Sequence, residues 1–153
     1  MKTLVAYYSR TGRTRAAALA LAKAAEADTQ EIVMTGKNAK LGVIKGAWMA
    51  LRKKPAKIEP LGRLSKYNRI IVVSPVWAGN PPPAVNAFLD CGLGGRQVYA
   101  VTVSGSGKAE KHFITAIEKH GGKCAKMWNF RRRGTDEGAW AEDMGKIAEE
   151  LKD

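Results

Sequence analysis

Apolar positions in this chain fall in short unbroken runs, and between the runs they recur at helical spacing. Leu4, Val5, Ala6, Tyr7 and Tyr8 form the first run, which predicts a buried strand over Lys2–Tyr8. Ile70, Ile71, Val72 and Val73 do not alternate with polar residues at all, as suits a strand covered on both faces. The pattern predicts further strands at Gln30–Met34, Arg69–Ser74, Gln97–Val103 and Cys124–Phe130. The intervening stretches read as helices. One is the alanine-rich Arg13–Ala27, and a short one follows Pro81-Pro82-Pro83, because proline favours a first helical turn. The others are Ala109–His120, closed by Gly121-Gly122, and Asp136–Leu151. In the last helix Trp140, Met144, Ile147 and Leu151 share one face and read as core anchors. Five strands alternating with helices predict an α/β domain, a parallel sheet with helices on both faces. A length of 153 residues suits a single domain over 1–153.

Where the first strand gives way to the first helix the chain reads Ser9-Arg10-Thr11-Gly12-Arg13-Thr14. A strand-to-helix turn aims unpaired N–H groups and the positive end of the helix at one spot. A phosphate dianion binds there without needing a charged side chain. The hydroxyls of Ser9, Thr11 and Thr14 can donate to its oxygens, and Gly12 lets the backbone come close. A polar helix cap uses the same residue types, so the turn alone leaves both readings open.

Two later turns add to it. The third strand runs into Ser74-Pro75-Val76-Trp77-Ala78-Gly79-Asn80-Pro81, where an indole sits in an irregular loop. Trp77 can stack on a flat ring, an aromatic contact worth about 0.5–1.5 kcal/mol beyond area burial, or it can pack into the core. The fourth strand ends in Ser104-Gly105-Ser106-Gly107-Lys108, a glycine-rich turn whose N–H groups can approach a ligand.

These three segments together resemble the flavodoxin family. Ser-x-Thr-Gly-x-Thr after the first strand is similar to its phosphate loop, the Trp77 segment to its first flavin loop, and Ser104–Gly107 to its second. The resemblance implies a three-layer sandwich with strand order 2-1-3-4-5. It implies FMN as cofactor, held at the switch point between strands one and three, and flavodoxin is itself an example of that rule. The residues it implies for FMN are Ser9, Arg10, Thr11, Gly12, Arg13 and Thr14 at the phosphate. At the ring they are Pro75, Val76, Trp77, Ala78, Gly79 and Asn80, with Ser104, Gly105, Ser106 and Gly107. It implies an oxidoreductase that moves electrons through the flavin, as a carrier or as an NAD(P)H-dependent reductase of quinones or similar acceptors. No catalytic acid or base and no metal is called for. Many flavodoxins place a tyrosine in the second flavin loop; none occurs between Ser104 and Lys111, which leaves one ring face open or covered by another group.

Competing phosphate motifs fail on particular residues. Gly107-Lys108 is followed by Ala109 and position 102 is Thr, so no Walker loop is present. Tyr8-Ser9 lacks the acidic residues of a receiver domain, and neither cysteine lies in the first loop, as a tyrosine phosphatase requires. Cys91 and Cys124 form no C-x-x-C and read as buried thiols.

Charge adds one further expectation. The net charge is +12, and between Gly36 and Tyr67 nine Lys and Arg stand against the single Glu59. Classical flavodoxins are generally acidic. The basic segment 36–57 carries Leu41, Ile44, Trp48 and Leu51 at helical spacing, which predicts a connecting helix with that face packed down. Arg131-Arg132-Arg133 is a second basic run. Such charge suits an acidic redox partner protein or a small-molecule donor or acceptor. The alternative is a basic binding module for nucleic acid or an acidic protein, although no nucleic-acid motif accompanies the charge. With no membrane-length apolar run and no secretory signal, a cytoplasmic protein is expected.

Overall fold

The structure, a computed structural model, describes residues 2–36, 45, 48–50, 52, 56–106 and 110–152. Its elements are β1 (Thr3–Tyr7), α1 (Arg13–Ala25), β2 (Asp28–Glu31), β3 (Arg69–Pro75), α2 (Pro83–Leu89), β4 (Gln97–Ser104), α3 (Glu110–Lys119), β5 (Lys123–Arg131) and α4 (Ala141–Leu151). The strands form one sheet in the order β2-β1-β3-β4-β5, and every neighbouring pair is parallel. This is the expected doubly wound order.

Alternation along the strands builds two cores. Val5, Tyr7, Ile71, Val73, Val101 and Val103 point to the α1/α4 side, where they meet the small face of α1, Trp140 at the N-cap of α4, and Met144, Ile147 and Leu151 of α4. Leu4, Ala6, Ile70, Val72, Val98 and Ala100 point the other way, onto Ala84, Val85, Phe88 and Leu89 of α2 and Ile117 of α3. The unbroken apolar run of β3 is therefore required by burial on both faces. Alanines at 16, 17, 18, 20 and 22 are all buried, so α1 packs close to the sheet.

Several boundaries differ from expectation. β2 covers Asp28–Glu31, not Gln30–Met34: Leu4 pairs with Asp28 and Tyr7 with Glu31. It is an edge strand whose polar side chains are mostly exposed, so no apolar run marks it. The apolar Ile32 and Met34 lie just beyond, where Met34 bridges Ile58 in antiparallel fashion. The last helix is broken at its start. A 3-10 turn over Glu137–Ala139, capped by Asp136 accepting from the Gly138 N–H (3.1 Å), precedes α4. At the other edge β5 bulges between its pairings of Val98 with Cys124 and Tyr99 with Lys126, a device that blunts an exposed edge.

Two side-chain expectations are corrected. Trp48 is 46% exposed, with the Arg52 guanidinium over its ring, while Met49 and Ala50 beside it are buried. The buried face of that segment is thus rotated from the one the spacing selected; Leu41, Ile44 and Leu51 lie outside the described residues. Cys91 is exposed and Cys124 half-buried, so neither is a core thiol. Cys91 ends up in the turn after α2, and Cys124 on the edge strand β5, where it packs only partly against the second core. Among the described residues no helix is long and apolar enough to cross a membrane.

Candidate functional site

Parallel strands bring their carboxyl ends to one edge, so the segments after Tyr7, Pro75, Ser104 and Arg131 meet there. A cavity of about 500 Å³ opens at that edge. It is lined by Arg10, Thr11, Arg13 and Thr14 from the first loop, Pro75 to Ala78 from the second, and Val103 and Arg132 from the ends of β4 and β5.

The first loop is shaped by Gly12, which holds a left-handed conformation (φ 95°) at the N-cap of α1. A residue with a β-carbon is strained there. A methyl group built on Gly12 would also come within 3.5 Å of the Thr135 methyl, so the chain after β5 closes over this loop. Ser9 Oγ accepts from the Gly12 N–H (3.0 Å), which secures the turn and leaves the hydroxyl hydrogen able to donate outward. Gly12 has no side chain with which to cap α1, so no capping side chain takes the first-turn amides. Thr14 is buried; Thr11 is exposed and accepts from Arg13 (3.3 Å).

The second loop is a tight hairpin. Trp77 and Asn80 exchange both backbone hydrogen bonds (3.0 and 2.9 Å) around Ala78 and Gly79, whose φ values are 49° and 77°. Two successive positive φ values fit a type I′ turn, in which alanine at the first position is strained. Trp77 is half-buried. Its ring meets Tyr8 edge-on at 5.7 Å between centroids and has the Arg10 guanidinium 5.9 Å from its centre. Burial pushes the Tyr8 phenol above its ordinary pKa, and the Arg10 charge pulls it back in part.

The sequence-predicted residues divide here. Arg10, Thr11, Arg13, Thr14, Pro75, Val76, Trp77 and Ala78 share the cavity, and Ser9 and Gly12 form the turn behind it. Gly79 completes the hairpin. Asn80 turns away: it is 3% exposed, its amide donates to the Ala78 carbonyl (2.9 Å), and it lines a smaller cavity with Asn86 and His112. Ser104 is buried, and Gly105 and Ser106 are exposed; none of the three lines the cavity. Gly107 lies outside the described residues.

Arg132 is the residue that sequence reasoning missed. Its backbone N–H donates to the Ser104 carbonyl (2.9 Å), and its guanidinium lies where a side chain on Gly105 would stand, 3.3 Å from that β-carbon position. The signal was available, because the first residue beyond β5 must emerge at the same sheet edge as the other loops. Its neighbour Arg133 takes the opposite course, pairing with Asp143 (2.6 Å) and lying 4.4 Å from the centre of the Trp140 ring. The basic run 131–133 is therefore not one surface. Among the described residues, no group of three His, Cys, Asp or Glu could hold a metal.

Residues 2–144 match the family model described as flavodoxin. The chain belongs to the flavodoxin family. Solved structures with the same fold include a flavoprotein in complex with FMN from Lactobacillus acidophilus (23% identity, TM-score 0.70, covering 86% of this chain and 93% of that one). A candidate flavoprotein from Bacteroides uniformis is 26% identical, with a TM-score of 0.74 over 94% of this flavodoxin and 97% of the other chain. Oxidised flavodoxin 2 from Bacillus cereus is 18% identical, with a TM-score of 0.64 and coverage of 99% and 98%. No curated protein matches the sequence.

Proposed function

We propose that this flavodoxin binds FMN in the cavity at the carboxyl edge of its sheet and exchanges electrons with a partner through it. The observation that carries the reading is convergence: the hydroxyl-and-amide turn 9–14 and the Trp77 hairpin open on one cavity with no carboxylate among the described residues that line it. The volume, about 500 Å³, is within the range of cofactor sites. The donor set fits a phosphate ester. Arg13 opens α1, whose first turn holds no acidic residue, so a cation sits at the positive end of the helix dipole. A dianion beside it offsets that repulsion, which is an independent reason to expect an anion at the turn.

The chain's own residues then have separable tasks. The amides of the first turn of α1, with the hydroxyls of Ser9, Thr11 and Thr14, hold the phosphate. The half-buried indole of Trp77 flanks the ring, and its edge-on contact with Tyr8 fixes its tilt. Pro75, Val76 and Val103 provide apolar walls that keep water from the ring. The bound flavin supplies the redox chemistry, and no side chain acts as an acid or base.

Titration of the purified protein with FMN, followed by flavin fluorescence, tests this reading. The expected result is one FMN per chain with Kd of about 1 µM or below, on the order of −8 kcal/mol. No saturable binding overturns it. Stopped-flow mixing of the FMN-loaded protein with NAD(P)H then separates a reductase, whose flavin bleaches, from a carrier, whose flavin does not.

A further inference from the structure

The cavity carries more positive charge than a phosphate accounts for. Arg10, Arg13 and Arg132 all line it, no Asp or Glu does, and none of the three forms an ion pair among the described residues. A phosphate monoester brings about two negative charges, and the helix N-terminus already adds roughly half a positive one. More than one positive charge remains uncompensated. Its location is specific. Arg13 belongs to the phosphate turn, but Arg10 lies over the Trp77 ring and Arg132 fills the space beside Gly105. Those are the two segments expected to flank the flavin ring. Gly105 does not have a positive φ, so what its missing side chain provides is room for the guanidinium. Arg132 thus lies directly against the second loop, which has no tyrosine of its own between Ser104 and Lys111. The same cavity has apolar walls at Pro75, Val76 and Val103, so its ring end offers flat apolar surface next to unpaired guanidiniums. A guanidinium in that setting makes charge-assisted, often bidentate hydrogen bonds to carboxylate, sulfonate or phosphate oxygens.

We propose that Arg132, with Arg10, selects a small aromatic anion as the redox partner of this site: a quinone-like molecule carrying a sulfonate, carboxylate or phosphate. The proposal rests on the FMN reading above and names the substrate class for it. Arg10 and Arg132 are exposed at the rim of the cavity, within reach of a small molecule that lies over its apolar walls, and the neighbouring Arg133 is already held by Asp143 and adds no charge to a wider docking surface.

The test is equilibrium binding to the oxidised, FMN-loaded protein, read by tryptophan fluorescence and flavin difference spectra. The probes are anthraquinone-2-sulfonate and the uncharged 2-(hydroxymethyl)anthraquinone. The sulfonate is expected to bind about tenfold more tightly at low salt, a difference of ~1.4 kcal/mol, with the advantage shrinking as salt rises. Arg132→Gln is expected to remove most of that preference and Arg132→Lys to keep part of it. The ratio of the two probes is unaffected by differences in FMN loading. Equal binding of both probes to the native protein, or an unchanged ratio in Arg132→Gln, overturns the proposal. Should Arg132→Gln fail to give a cooperative thermal transition, Arg10→Gln carries the same measurement. FMN stoichiometry is measured first. If the native chain takes up no FMN, the flavin reading fails by itself, and a sulfonate preference in the FMN-free chain still upholds the anion site.

Discussion

Two cavities of nearly equal size open at opposite ends of the sheet, and their chemistry differs completely. The one at the amino ends of the strands, about 490 Å³, is lined by Asp28, Gln30, Gly62 and Tyr67 among others. Four of its lining residues are already paired with one another. Tyr67 donates to Asp28 (2.8 Å), and Gln30 accepts from the Gly62 N–H (3.2 Å). The one at the carboxyl ends, about 500 Å³, presents helix amides, hydroxyls and three arginines without carboxylate partners among the described residues. Size therefore does not separate the two cavities; their chemistry does. The asymmetry comes from the fold, because in a parallel sheet the helix N-termini follow the strands' carboxyl ends and their positive poles collect on one side.

The sharpest way to break this contrast is to place a carboxylate in the upper cavity. Gly12→Asp should weaken FMN binding at least ~100-fold, the loss of about 3 kcal/mol from one repelled dianion and one strained turn. Asp28→Asn in the lower cavity should leave the FMN titration unchanged. Gly12→Ala separates the two causes, since it introduces the strain at φ 95° without the charge and should retain much of the affinity. Next in size is Trp77→Ala, which should weaken FMN roughly 10- to 30-fold through lost ring contact and apolar area, with the protein still folded.

The lower cavity makes its own prediction, in stability instead of binding. Burial, the hydrogen bond to Asp28 and the charge of Asp28 push the Tyr67 phenol up to about 12 from an ordinary 10.0. An acid whose folded value is raised stabilises the fold fully below its unfolded value. Here that contribution is present below pH 10 and is lost as pH rises towards 12. Denaturant melts across this window should show an alkaline loss on the order of 1–2 kcal/mol that Tyr67→Phe abolishes, with FMN affinity untouched. The smallest effects concern backbone strain, which both ends share. Ala78 in the upper hairpin (φ 49°) and Glu26 at the end of α1 (φ 51°) are the non-glycine residues with positive φ among the described residues. Replacing either with glycine should raise stability by about 0.5–1 kcal/mol in thermal melts. A gain at Glu26 with a loss of FMN affinity at Ala78 would show that the upper strain is tuned for the ligand.

Legibility in the sequence followed burial. β3 was readable because both of its faces are covered, so Ile70 to Val73 had to be apolar. The anchors of α4 were readable for the same reason, with Trp140 and Met144 fully buried. β2 was misplaced because an edge strand with exposed side chains is fixed by its backbone pairing to β1, which leaves no hydrophobic trace. Trp48 was misassigned because periodicity names a face without naming what covers it. The Ser9–Thr14 turn was legible as a strand-to-helix junction, with Gly12 at a positive φ, while its residue types alone suit a polar helix cap as well as an anion site. Asn80 was placed with the ring residues by its position in the loop, yet its side chain closes the hairpin from behind and turns to the smaller cavity.

The sequence by itself determined that strands and helices alternate into a parallel, two-faced sheet, and that a turn rich in hydroxyls with one glycine joins the first strand to the first helix. Burial on two faces and backbone freedom at Gly12 are local demands, and residue types record them. Only the tertiary structure decided the fates of Arg132 and Arg133. These are identical side chains on consecutive residues, and consecutive side chains leave an extended chain in opposite directions. One meets Asp143 and Trp140 of the α4 layer, while the other finds the space that Gly105 leaves open at the cavity rim. Nothing local distinguishes them; the difference is in what the rest of the fold has placed on each side.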